Sequence, residues 1–107
     1  MRPLESSVER RLVRMLDGAG FVHVKLNLQG RRGWPDRLVL IPGGRPWFVE
    51  LKRPGGRTRK LQDHVHAQLK KIKYEVRVYD DASEAFNAIE RENQRRLGAC
   101  LRGDCGH

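Results

Sequence analysis

The chain has no apolar run approaching the roughly 20 residues that cross a bilayer. Its N-terminus also lacks the apolar segment of a secretory leader. A cytoplasmic protein with no membrane partner is expected. Cysteine is scarce: two in 107 residues, Cys100 and Cys105. That excludes a disulfide-stapled scaffold. With His107 they make three zinc-type donors, but a fourth donor and a recognised spacing are missing. The expectation is reduced thiols on a flexible tail, 98–107, behind a single domain, 1–97. There is no P-loop, no internal repeat, and no Ser/His/Asp or Cys/His catalytic arrangement. Acidic residues are outnumbered, 13 against 22 Lys and Arg, for a net charge of +9 and a pI near 10.4. A polyanionic partner is implied, most simply nucleic acid. No helical segment pairs a basic face with a Trp- or Phe-rich one, as binding to an anionic membrane would require.

What the chain does have is concentrated between Gly33 and Lys52. Gly-Trp-Pro-Asp leads into a short apolar run. A Pro-Gly-Gly-Arg-Pro break follows, then a second apolar run that ends in Glu-Leu-Lys. On a strand Glu50 and Lys52 share one face and Leu51 takes the other. Both are poor strand formers and are seldom buried unpaired, so their place after Trp47-Phe48-Val49 asks for a reason. A metal site supplies one. Two carboxylates on neighbouring strands, Asp36 and Glu50, can hold a hard cation such as magnesium. A nearby ammonium, Lys52, can then place water and stabilise developing charge.

The hairpin carries a specific expectation. A five-residue loop at 42–46 pairs Ile41 with Trp47 and Leu38 with Glu50. Asp36 then lies opposite Lys52 and diagonal to Glu50, roughly 7–8 Å away, on one face. A two-residue Gly43-Gly44 turn would put Asp36 on the other face.

Pro35-Asp36 followed by Glu50-Leu51-Lys52 resembles the P-D…(D/E)-x-K signature of the restriction-endonuclease-like superfamily. More closely, Gly-Trp-Pro-Asp-Arg, Pro-Gly-Gly-Arg and Phe-Val-Glu-Leu-Lys-Arg-Pro-Gly-Gly resemble the VRR-NUC family, across most of residues 5–80. That family occurs as small phage-type proteins and as the nuclease domain of DNA-repair enzymes. The resemblance implies magnesium-dependent hydrolysis of DNA, with manganese as a substitute, a 3′-oxygen leaving group and a 5′-phosphate product. It implies Asp36, Glu50 and the backbone carbonyl of Leu51 as metal ligands and Lys52 as the residue that activates water. Gln62 matches the helix glutamine near the active site.

Val8-Glu9-Arg10-Arg11-Leu12-Val13 resembles the first-helix motif of archaeal Holliday-junction resolvases, whose glutamate helps to bind metal. Glu9 is therefore a third candidate ligand, and Glu5 a weaker one for the same role. Position alone favours a surface glutamate beside Arg10 and Arg11, at the edge of an apolar stripe, and it is the resemblance that reverses this. Stand-alone members resemble resolvases, which implies branched DNA and a two-fold dimer, since one chain carries one site and symmetric cutting needs two. A non-catalytic nucleic-acid-binding module and an RNA nuclease with the same site remain alternatives.

The remaining elements follow from periodicity. Residues 5–19 read as a helix on Val8, Leu12, Met15, Leu16 and Ala19. Phe21 to Leu28 alternates and reads as a strand. Leu38–Ile41 and Trp47–Leu51 are near-continuous apolar runs, as in strands covered on both faces. A helix over 60–72 is marked by Leu61, Val65, Leu69 and Ile72. Its first turns carry Gln62, Asp63, His64 and His66, with His66 expected to be partly exposed. Tyr74–Tyr79 reads as an edge strand. Asp81 with Glu84 forms a capping box for a helix over 82–95. The fold class is α/β with a restriction-endonuclease-like core: order α-β-β-β-α-β-α, a mixed sheet, helices on both faces. Lys25, Arg31, Arg32, Arg53, Arg57 and Lys60 are the candidate phosphate contacts.

Overall fold

The computed structural model describes residues 5–27, 29–56 and 59–101. Helix α1 (Glu5–Ala19) is followed by strands β1 (Val22–Lys25), β2 (Arg37–Leu40) and β3 (Trp47–Leu51). Helix α2 (Lys60–Lys71), strand β4 (Val76–Tyr79) and helix α3 (Ala82–Leu101) complete the chain. This is the expected order. The sheet runs β1-β2-β3-β4, with the first two pairings antiparallel and the third parallel. A parallel neighbour needs a crossover, and α2 provides it.

Period-3.6 spacing puts Val8, Leu12 and Leu16 on one side of α1 and Ala82, Ala85 and Ile89 on one side of α3. These residues are buried with Val39, Val49 and Leu51 of the sheet in one core, which Phe21 and Ile41 complete. Phe21 meets Phe86 edge to face at 6.2 Å. The alternate strand residues face the other way, towards α2, where Phe48 packs edge to face on Trp34 and Tyr74. Helices thus cover both faces, as the unbroken apolar runs predict. Among the described residues no helix is long and apolar enough to cross a membrane.

Both α1 and α2 end in the same cap. In α1 the Gly20 N–H donates to Asp17 and the Phe21 N–H to Leu16, with Gly20 at φ 81°. In α2 the Lys73 N–H donates to Lys70 and the Tyr74 N–H to Leu69, with Lys73 at φ 73°. This is the paired bonding of a Schellman motif. The cap consumes Tyr74, so β4 starts at Val76 rather than at the expected Tyr74. It is nonetheless the edge strand that was expected. Helix α3 runs beyond 95, through Leu101, and its N-terminus is capped as expected by Asp81, whose Oδ2 accepts the Glu84 N–H at 2.9 Å. The Cys105 and His107 half of the zinc-donor reading lies outside the described residues, as does the side chain of Cys100.

The hairpin departs from expectation. Val39 pairs with Trp47, Leu38 with Phe48 and Arg37 with Val49. Ile41 does not pair with Trp47, because it is 4 % exposed in the core. It opens a turn in which the Gly44 N–H donates to its carbonyl at 2.9 Å, with Pro42 next and Gly43 at φ 72°. Pro then a positive-φ Gly is the type II signature. The connection therefore spans 40–46, two residues more than expected. A slip of two preserves the face, whereas a slip of one would reverse it. Asp36 stays on the side of Glu50 and, continuing the register, lies opposite Glu50 rather than Lys52.

Strand β1 is shorter than the expected Phe21–Leu28, although the Leu26 N–H still donates to the Asp36 carbonyl at 2.8 Å. In α2 only Val65 and Leu69 of the expected stripe are buried. Leu61 and Ile72 are 46 % and 62 % exposed. Ile72 is the C-cap, where the chain leaves the helix, and the backbone of Leu61 is pressed against Gly33.

Candidate active site

Strand β3 delivers Glu50 and Lys52 to one end of the sheet, on the face that α2 covers. The Lys52 N–H donates to the Tyr79 carbonyl at 2.8 Å, which extends the parallel ladder one residue past β3 and holds Lys52 in strand geometry. Glu50 is 0 % and Lys52 2 % exposed. Charges are buried this deeply only with partners to replace water. Lys52 Nζ lies 3.2 Å from Glu50 Oε2. Gln62 joins the two: its Nε2 donates to Glu50 Oε2 at 2.7 Å, and its Oε1 accepts from Lys52 Nζ at 2.7 Å. The same Oε1 accepts the Arg59 N–H at 2.9 Å, so Gln62 also caps α2 at its third position. One amide therefore locks the helix start to the acid and the ammonium.

Asp36 approaches from the neighbouring strand. Its Oδ2 accepts the Leu51 N–H at 2.8 Å, which ties the entry to β2 to the end of β3. Gly33, three residues earlier, lets the same segment pack against the first turn of α2. It sits at φ 83°, and a Cβ there would fall 2.7 Å from the Leu61 carbonyl oxygen. Glycine alone among residue types meets both demands.

His66 belongs to the site as well. Four residues on from Gln62, it lies on the same side of α2. Its Nε2 is 4.0 Å from Glu50 Oε1, and that nitrogen is buried with no hydrogen-bond partner among the described residues. Burial pushes the imidazole pKa below its ordinary value; Asp63 opposes this and Lys52 reinforces it. The i,i+4 spacing from Gln62 was the sequence signal for it.

Glu9 is placed elsewhere. Both its oxygens accept from Lys25 Nζ at 3.0 Å, and Oε2 accepts from Arg37 Nε at 2.9 Å. Lys25 and Arg37 are cross-strand partners whose register puts them on the α1 face, across the sheet from Glu50. Arg37 Nη1 also lies 3.0 Å from His23 Nδ1, and His23 Nε2 lies 2.7 Å from Asp17. Arg37, read only as part of the Pro-Asp-Arg motif, is thus the pivot of a charged chain on that face. Among the described residues no three His, Cys, Asp or Glu groups are placed to hold one metal ion. Asp36 and Glu50 with the Leu51 carbonyl are a smaller set of hard oxygen donors. That chemistry fits magnesium, which keeps several waters and uses one or two carboxylates.

Of the candidate phosphate contacts, Arg31, Arg32, Arg53 and Lys60 are exposed, and Lys25 is exposed beside Glu9. Arg53 and Lys60 flank the loop that joins Lys52 to α2. Arg57 lies outside the described residues.

No family model matches the chain. It is 41 % identical over 87 residues to a protein named "Putative nuclease p44" from Acyrthosiphon pisum secondary endosymbiont phage 1, spanning 79 % of this chain and 94 % of that one. A solved structure described as a "VRR_NUC domain" superposes with a TM-score of 0.69 at 30 % identity, covering 80 % of this chain and 94 % of the other.

Proposed function

The chain belongs to the VRR-NUC family of nucleases, and from that premise we propose that it is a magnesium-dependent, structure-specific DNA endonuclease acting on branched DNA in the manner of a Holliday-junction resolvase. The observation that carries this is the buried Glu50–Lys52–Gln62 network beside Asp36. A fold gains little from burying a Lys–Glu pair, since desolvation cancels most of the attraction. Held at a sheet end under a basic surface, the pair has the chemistry that phosphodiester hydrolysis needs.

Asp36, Glu50 and the Leu51 carbonyl would hold the metal, with manganese able to replace magnesium. Glu9, bonded to Lys25 and Arg37 across the sheet, is not among the groups that would hold the ion. When bound, the ion supplies charge neutralisation at the phosphate and a bound water of lowered pKa. The chain supplies the rest. Lys52 Nζ orients the attacking water and stabilises charge that develops on the phosphate oxygens. Gln62 fixes the direction of Nζ and limits its rotamers, so the ammonium is in position before substrate arrives. The departing group is a 3′ oxygen, leaving a 5′ phosphate. Symmetric cutting of a four-way junction by a chain with one site calls for a homodimer.

The test is incubation with four-way junction, flap, single-stranded and linear duplex DNA in magnesium or in EDTA. Junction cleavage that EDTA abolishes and Lys52→Ala removes is expected. Binding without cleavage under any divalent ion would instead indicate a binding module, and cleavage of RNA alone would shift the substrate class.

A further inference from the structure

Beside the site, a groove of ≈ 520 Å³ runs between α2 and the start of β4, lined by His66, Lys70, Lys73, Tyr74 and Glu75 among others. A second hollow of ≈ 250 Å³ shares Lys73, Tyr74 and Glu75 with it. This hollow adds Arg45 from the hairpin connection, Trp47 and Arg77 from the sheet, and Arg95 and Arg96 from α3. The two adjoin at the three shared residues, so their lining runs from His66, 4.0 Å from Glu50, to α3. The far hollow carries five cations and two carboxylates: Glu92 pairs with Arg95 at 2.8 Å and Arg96 at 3.1 Å, and Glu75 lies 3.7 Å from Arg77, so positive charge remains in excess. Two of its guanidinium groups lie over aromatic rings: Arg77 is 3.7 Å from the Trp47 centroid and Arg45 4.3 Å from that of Tyr74. A guanidinium over a ring keeps N–H groups that can meet an anion.

Lys73 provides a second observation. It is the one non-glycine among the described residues with a positive φ. It occupies the cap position that Gly20 fills in α1, in the same bonding pattern. A lysine there costs about 1 kcal/mol relative to glycine. It projects where the two hollows meet. Backbone strain kept at such a point indicates a use for the side chain.

We propose that Lys73 and the Arg45, Arg77, Arg95 and Arg96 cluster form a second binding site for the nucleic-acid backbone, gripping the arm that flanks the cut. The proposal rests on the nuclease reading for its substrate and names residues that reading does not use.

The test compares the full chain with the Lys73→Gly/Arg95→Gln variant. Binding of labelled four-way junction and linear duplex DNA is measured in EDTA across a salt series, with Tm recorded alongside. The expected result is roughly tenfold weaker binding, a salt slope reduced by about one to two, and an unchanged or higher Tm. Wild-type affinity and slope in the variant would overturn the proposal. So would weaker binding with a lowered Tm, which would make the loss a folding effect, or a wild-type chain that binds neither DNA. Cleavage in magnesium by the wild type and Lys52→Ala is followed separately, so a failure of the nuclease reading shows in turnover and a failure of this site shows in binding.

Discussion

Removing one member of a buried ion pair strands the other where water cannot reach it. Lys52→Met keeps the length of the side chain and deletes the charge beside Glu50. It should cost about 3–5 kcal/mol of stability, measured by urea unfolding, and abolish cleavage. The double variant Glu50→Gln/Lys52→Met should recover most of that stability and none of the activity, because two neutral groups need no solvation. A single-variant loss below about 1 kcal/mol would mean that the pair is hydrated. Gly33→Ala is a second residue-scale case. Its Cβ would meet the Leu61 carbonyl, and its φ of 83° suits no β-carbon. A loss of about 2 kcal/mol or more in the same unfolding assay is expected. These positions were legible in the sequence to different degrees. Glu50 and Lys52 share a face because strand side chains alternate, and that needed no structure. The partners of Glu9 were not legible, because Arg37 and Lys25 become neighbours only through the pairing of β1 with β2.

At the scale of elements, Gln62 is where helix α2 is joined to the sheet. Gln62→Ala removes the acceptor for the Arg59 N–H along with both bonds to the buried pair. It should destabilise by about 1–3 kcal/mol and lower kcat more than it raises KM, since it frees Lys52 without touching substrate. A Gln62→Ala variant with normal kcat would remove the positioning role. The hairpin shows why the register was harder to read than the face. Pro42 and Pro46 signal a long connection, but they do not reveal that Ile41 turns into the core and lengthens it by two residues. That choice belongs to packing between the sheet and α1 and α3. The Schellman cap of α2 was hidden for a related reason: its position is usually glycine, and here it is lysine.

For the whole molecule, the net charge of +9 and the exposed Arg31, Arg32, Arg53 and Lys60 around the site predict a salt-sensitive affinity. Log Kd should rise linearly with log salt, with a slope that counts the phosphates engaged. A flat response would mean that the basic surface does not meet the backbone. Metal linkage is read at the same scale. On the proposed assignment magnesium should raise the Tm of the wild type, because Asp36, Glu50 and the Leu51 carbonyl would be gathered to bind it only in the folded chain. Asp36→Asn should lose that rise while remaining folded. An equal rise in both would place the ion elsewhere.

The most direct measurement is single-turnover cleavage of a four-way junction in magnesium by the wild-type chain and by Asp36→Asn and Lys52→Ala, with binding measured in parallel. The account predicts junction cutting by the wild type that neither variant retains, with all three chains binding the junction at similar affinity. Cutting by either variant at the wild-type rate would contradict it.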